Sequence, residues 1–277
     1  MRGRRARYGP DRDQVAGTAQ GLPWGDDDRA PGPISSRPPR PVLHPVMLQG
    51  WHDLTALHWR YPIAEVERLL PDGFGVDAFD GSAWVGLIPF RMHRIRLPGL
   101  PSLGRLSSFP EMNVRTYIVD RTGRRGVWFL SLDVTALLPT LVARATYRLP
   151  YCWAAMTLSG RDDGDGGERT IESVRRWPSG APHCRIGIRI GPAIDPGTVD
   201  QLDRFLSARW ALGTAFGRRL AWARVDHPEW PLHRAEVHHV DETYFEAAGL
   251  RPPRGEPHAR WSPGVDVRIE RPRLLRD

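Results

Sequence analysis

The segment SSFPEMNVRTYIVD, residues 107–120, alternates apolar and polar side chains. Read as a strand, it places Met112, Val114, Thr116 and Ile118 on one face. Glu111, Asn113, Arg115 and Tyr117 fall on the other. The apolar row has to be buried, so the segment demands a sheet with a fixed register. The polar row has two fates. It meets water, as one side of many antiparallel sheets does, or it lines a closed cavity. An acid, an Arg, an amide and a phenol can satisfy one another there.

The same pattern recurs along the chain. WHDLTALHW reads as a strand, and PIAEVERLLPDG as a helix with Pro62 at its start and Gly73 past its end. Two strands flank the turn at Asp80-Gly81, and a Pro/Gly-rich loop leads into the opening segment. After the turn DRTGRRG, VWFLSLDV is the expected partner strand. An even register would place Asn113 opposite Asp133, Arg115 opposite Ser131 and Tyr117 opposite Phe129. TALLPTLVARATYRL has helical spacing. Strands follow at 151–158, 168–177, 183–190, 209–214, 218–225 and 234–240, with a helix near 195–209 capped by Asp195 or Thr198 and another over DETYFEAAG. Many short strands with scattered helices give an α+β fold, mainly antiparallel β.

Charge divides the chain into three. Residues 1–45 hold eight Arg against five acids, residues 251–277 seven against four, and the body is close to neutral. Residues 1–45 carry few apolar side chains and read as a disordered Arg/Pro/Gly-rich arm, 46–250 as one domain, and 251–277 as a basic tail. A neutral body argues against a specific nucleic-acid groove. No apolar run approaches the length of a membrane span, so no membrane partner is expected. Two cysteines, Cys152 and Cys184, suit a reducing cytoplasm better than a disulfide framework.

Every one of the 39 basic residues is Arg; the sequence has no lysine. Arg does not form Schiff bases, so imine catalysis by a side chain is excluded. His233, Glu236, His238, His239 and Asp241 are the densest set of metal-ligand types, but their spacing fits no zinc signature. No metal and no cofactor are expected. No G-x-S-x-G, P-loop or dinucleotide fingerprint occurs in the strand–helix context it needs.

WVGLIPFRMHRIRLPGLP, FPEMNVRTYIVD, GVWFLSLDV, ARATYRLPY and HPEWPLHRAEV, in this order, resemble the YqjF-like family of uncharacterised bacterial proteins. The likeness covers about residues 47–250. That family is in turn distantly similar to acetoacetate decarboxylase. The resemblance implies a cone-like β-barrel with peripheral helices around a small-molecule cavity. It also implies that the odd face of 107–120 points inward. The decarboxylase's lysine pair would fall on Tyr151 and Cys152, so its electrophilic amine is missing here.

The expected site follows. Arg115 clamps an anionic group and Glu111 is the general acid or base. Asn113 and Tyr117 orient a substrate oxygen, Asp133 and Ser131 support them, and Tyr151 and Cys152 line the mouth or floor. The protein is then an enzyme acting on a small anionic or carbonyl metabolite without Schiff-base chemistry. Alternatives are a non-catalytic metabolite-binding module and a structural or interaction protein working through its Arg-rich tails. Homo-oligomerisation stays open.

Overall fold

The computed structural model describes residues 31–136, 149–163, 166–177 and 180–275. Its strands are β1 (Met47–Tyr61), β2 (Phe74–Val76), β3 (Ala83–Arg96), β4 (Phe109–Asp120), β5 (Arg125–Val134), β6 (Tyr151–Asp163) and β7 (Gly166–Trp177). They continue with β8 (His183–Ala193), β9 (Ala211–Phe216), β10 (Arg219–Asp226), β11 (His233–Glu242), β12 (His258–Ile269) and β13 (Arg273–Leu274). The described α-helices are short: α1 (Ile63–Glu67), α2 (Gln201–Ser207) and α3 (Tyr244–Ala247). None is long and apolar enough to cross a membrane. The expected helix over 135–149 falls mostly outside the described residues.

Nine strands close a barrel in the order β5-β6-β7-β8-β11-β12-β1-β3-β4, sealed by β4 against β5. β9 and β10 form a second arc from β5, at Val127↔Leu212, to β12, at Val225↔Ile269. β5 runs parallel to β6 and β9, while the other ladders are antiparallel. The mainly antiparallel sheet expected from the alternation, and the barrel with peripheral helices implied by the resemblance, are therefore present.

The wall β12-β1-β3-β4-β5 has an interior on each side. Leu57, Leu87, Met112 and Val114 face the nine-strand interior and pack with Ile186, Ile188, Tyr244 and Phe245. Trp84 and Tyr117 face the other way and meet Phe205, Leu206, Val225, Val265 and Val267. Further along that second face lie Leu54, Ala56, Ile88, Phe90 and Val134. Sheets buried on both sides lose the wet face that alternation normally implies. The polar row on β4 is therefore buried, but in the second interior and not in the nine-strand lumen that the resemblance implies.

The β4–β5 register corrects the expected one. Tyr117 pairs with Val127 and Arg115 with Phe129, but Val114 pairs with Ser131 and Met112 with Asp133. One extra residue, Leu130, sits between the two halves as a β-bulge. Parity holds near the turn and flips beyond the bulge. Ser131 and Asp133 therefore face the nine-strand interior beside Met112 and Val114, not Asn113 and Arg115.

The body also extends past both expected boundaries. Val42 is buried, and its N–H donates to Asp226 Oδ2 at 3.0 Å; Gly32 N–H donates to Gly123 O at 2.8 Å. Residues 32–42 thus lie against the barrel. β12, in the segment read as a basic tail, pairs with β1 over eleven residue pairs. Its alternation is legible at Val265, Val267 and Ile269 but interrupted by Pro263-Gly264. Gly264 has φ +124°, and a Cβ there would sit 2.3 Å from Trp51 O. Gly264→Ala is expected to cost about 1–3 kcal/mol of backbone strain, measured by urea unfolding. Wild-type stability in the variant would show that this approach is not needed. The helix caps are also redistributed. Asp195 accepts from Gly197 N–H in a short 3₁₀ turn, and Asp200 caps α2 by accepting from Asp203 N–H at 2.7 Å.

Candidate functional site

The polar row of β4 is inside the second interior. Glu111 and Asn113 are each 4% exposed, Tyr117 is fully buried and Arg115 is half-buried. Glu111 Oε2, Asn113 Oδ1 and Arg115 Nε are buried atoms without a hydrogen-bond partner among the described residues. Each such atom costs roughly 1–3 kcal/mol, and native interiors hold few of them. Here three stand two residues apart on one strand face. Burial, and then the Asp133 carboxylate, push the Glu111 acid up to about 8. Glu111 therefore carries its proton at neutral pH and acts as a donor. Arg115 is not among the groups shifting Glu111, consistent with a Cα separation of about 13 Å along the strand.

Arg115 stands apart from the other interior arginines. Buried Arg175 and Arg209 each pair with a carboxylate, Asp133 and Asp77. Arg115 has none among the described residues; its guanidinium lies 5.7 Å from the Tyr117 ring centroid. The strand register explains what surrounds it. His258 pairs with His58, His58 with Gly86, and Gly86 with Arg115, a single row across β12, β1, β3 and β4. Gly86 makes room in this row for the His58 ring, which a Cβ there would meet at 2.8 Å.

His58 Nε2 is 2.6 Å from the Tyr117 hydroxyl. Burial, followed by the charges of Arg115, His258, Arg209 and Arg260, holds the His58 pKa well below its ordinary value, so the ring is neutral. His258 Nε2 lies 2.7 Å from Asp203 Oδ1, and Arg260 Nε donates to Asp203 Oδ2 at 3.0 Å. Burial opposes ionisation of Asp203, but the His258 hydrogen bond and the Arg260 charge prevail and hold its pKa below the usual carboxylate value. A cavity of about 30 Å³ lies among Ala56, His58, Arg115, Ser207, Trp230 and His258, roughly the room of one water molecule. α2 and the segment before β11 cover it. His58, His258 and Asp203 were not among the expected site residues. They lie on separate elements with no motif spacing, and β12 was read as tail.

Three expected residues belong to a different cluster. Asp133 pairs with Cys152 in the parallel β5–β6 ladder and faces the nine-strand interior. Arg175 grips it in a fork, Nε to Oδ1 at 2.7 Å and one terminal nitrogen to Oδ2 at 2.8 Å. The Arg175 guanidinium lies 5.3 Å from the Tyr244 ring centroid, and the Tyr244 hydroxyl meets Ser173 Oγ at 2.8 Å. Ser131 is on this side, its buried Oγ without a partner among the described residues. The buried Cys152 thiol donates to Pro150 O at 3.6 Å. Tyr151 pairs with Leu132, which places it on the Glu111 side. The expected site thus splits into Glu111, Asn113, Arg115, Tyr117 and Tyr151 on one face of the wall, and Ser131, Asp133 and Cys152 on the other. Among the described residues no group of three or more His, Cys, Asp or Glu could hold a metal ion.

A family profile described as an uncharacterized conserved protein, DUF2071, matches residues 48–266. The chain belongs to the DUF2071 family. The DUF2071 match takes in β12 and His258, in agreement with the longer body described above. The chain is 30% identical over 224 residues to uncharacterized protein YqjF of Bacillus subtilis (strain 168), covering 80% of this chain and 89% of that one. Among solved structures, this DUF2071 chain resembles an acetoacetate decarboxylase-like enzyme from Sphingomonas wittichii RW1. The TM-score is 0.57 at 15% identity, over 84% of this chain and 94% of that one. It also resembles the enduracididine biosynthesis enzyme MppR, complexed with the condensation product of pyruvate and imidazole 4-carboxaldehyde. That TM-score is 0.57 at 13% identity, over 84% and 90% of the two chains. These likenesses establish an acetoacetate decarboxylase-like barrel fold.

Proposed function

We propose that this DUF2071 protein binds a small compound carrying a carboxylate beside a carbonyl, and acts on it by proton transfer rather than through an imine. The observation that carries the reading is Arg115. It is a half-buried guanidinium in the second interior, bordering one cavity with His58, His258 and Arg260, with no carboxylate partner among the described residues. A half-buried cation without a counter-ion is stabilised by an anion, and the planar fork of Arg suits a carboxylate. Asn113 extends the polar row along the same strand face, and protonated Glu111 lies beyond it, about 13 Å from Arg115 along the strand and out of reach of a small ligand held there. The absence of lysine rules out a side-chain Schiff base, so enolisation, hydration and dehydration remain compatible. The complex named for MppR makes pyruvate the first compound to try. Both cysteines are buried and outside any disulfide, in keeping with a cytoplasmic protein.

The test is thermal. A ligand present at 100 times its Kd stabilises the native state by about 2.7 kcal/mol, which raises Tm by roughly 5–10 °C in a chain of this size. Pyruvate and related 2-oxo acids are expected to raise the wild-type Tm and to leave Arg115→Gln unmoved. Equal shifts in both proteins would remove Arg115 as the anchor. A stabilising compound recovered unchanged after long incubation would favour the second reading, a binding module without chemistry.

A further inference from the structure

We infer that His258, held by Asp203, is the proton-transfer group that works on a ligand anchored by Arg115, and that it takes this role from Glu111. The inference rests on the Arg115 reading and adds the base to it. Three observations carry it. His258 and Arg115 border the same cavity. They stand at the two ends of one cross-strand row, His258–His58–Gly86–Arg115, in which the His58 ring lies over Gly86. Glu111 lies two alternations further along β4 and does not border that cavity.

The tautomer follows from the hydrogen bond. His258 Nε2 lies 2.7 Å from Asp203 Oδ1, so in the neutral ring, the form that acts as a base, the hydrogen sits on Nε2 and the lone pair on Nδ1. No hydrogen bond to Nδ1 occurs among the described residues. Asp203 is itself fixed: Arg260 donates to its other oxygen, and the residue sits in the first turn of α2. A base oriented by a buried carboxylate is the arrangement that stabilises an imidazolium as it forms. Asp203 is thus a positioning residue and His258 the catalytic one.

The cavity has the room of about one water, so a 2-oxo acid needs its cover, α2 and the segment before β11, to move outward; with the acid bound through its carboxylate, Nδ1 removes a proton from C3. The C3–H electron pair becomes the C2=C3 double bond, and the carbonyl pair moves onto oxygen. The products are an enolate, near the Arg115 charge, and a His258 imidazolium facing Asp203. Return of a solvent-derived proton from His258 to C3 restores the keto acid, so the cycle consumes nothing.

In deuterium oxide this cycle replaces the methyl protons of pyruvate, and the loss is read by proton NMR. Wild type is expected to exchange them at least 100-fold faster than His258→Gln, while both proteins keep the pyruvate-dependent rise in Tm. Asp203→Asn is expected to slow exchange at least 10-fold and to change its pH profile, because an amide can hold the ring in the wrong tautomer. If wild type binds pyruvate without exchanging it, or if His258→Gln exchanges as fast as wild type, the assignment of His258 is overturned and the Arg115 anchor stands. If pyruvate raises the Tm of neither wild type nor Arg115→Gln, the anchor itself fails, and this inference with it.

Discussion

Glu111→Gln is expected to flatten the fall in stability with rising pH. In the folded protein burial, and then Asp133, push the Glu111 acid up to about 8, against an ordinary value of 4.5. Between those values the folded chain holds a proton that the unfolded chain releases, so stability falls as pH rises. The contribution is complete below pH 4.5 and is lost by the time pH passes 8. Each pH unit is worth about 1.4 kcal/mol per proton, so the whole window amounts to about 5 kcal/mol. Gln has the shape of the protonated acid and no charge to lose, so it removes this slope at little cost below pH 5. His58, whose pKa is lowered by burial and then by Arg115, acts the other way: its contribution is present above its unfolded pKa and is lost as pH falls. That contribution is common to both proteins and cancels in their difference. Urea unfolding of wild type and Glu111→Gln at pH 5 and pH 8.5 measures the effect. The variant is expected to gain several kcal/mol on wild type at the higher pH. Parallel curves would mean that Glu111 is not desolvated as described.

The same acid shows how far sequence reasoning reaches. Alternation at 107–120 identifies a strand with two distinct rows, and the acetoacetate decarboxylase-like fold is consistent with that pattern. Alternation cannot say that both rows are buried, because that depends on β9, β10 and α2 closing a second interior against the wall. An even register puts Asp133 opposite Asn113, where Leu132 stands, one residue off. Leu130 bulges, and a bulge leaves no mark that distinguishes it from the leucines around it. β12 was missed because Pro263-Gly264 breaks its pattern where the strand passes Trp51. With β12 went His258. The His258–Asp203 pair spans 55 positions and His58–Tyr117 spans 59, distances over which no local motif operates. Arg115 was legible as a ligand clamp, but its lack of a counter-ion is a property of the packed interior alone.

Arg175→Met should be among the most damaging single changes, and its rescue by a second change would define what Asp133 is for. Asp133 is fully buried, and both of its oxygens are held by Arg175, whose side chain is 8% exposed. Removing the cation leaves a carboxylate enclosed among Met112, Cys184 and Tyr244. Breaking one side of such a pair costs about 3–5 kcal/mol. Asp133 can escape by taking up a proton, so the loss should shrink at low pH. Adding Asp133→Asn to Arg175→Met removes the stranded charge and is expected to recover at least half of the loss, a coupling read from a double-mutant cycle of urea midpoints. This cluster faces the nine-strand interior, while Arg115 faces the other side of the same wall. The double variant should therefore keep the Arg115-dependent rise in Tm with 2-oxo acids while showing the cycle's coupling. Loss of that ligand response in a folded double variant would make Asp133 part of the binding site after all. A retained response assigns the ion pair to holding β5 and β7 in place, with the chemistry left to the row that runs from Arg115 to His258.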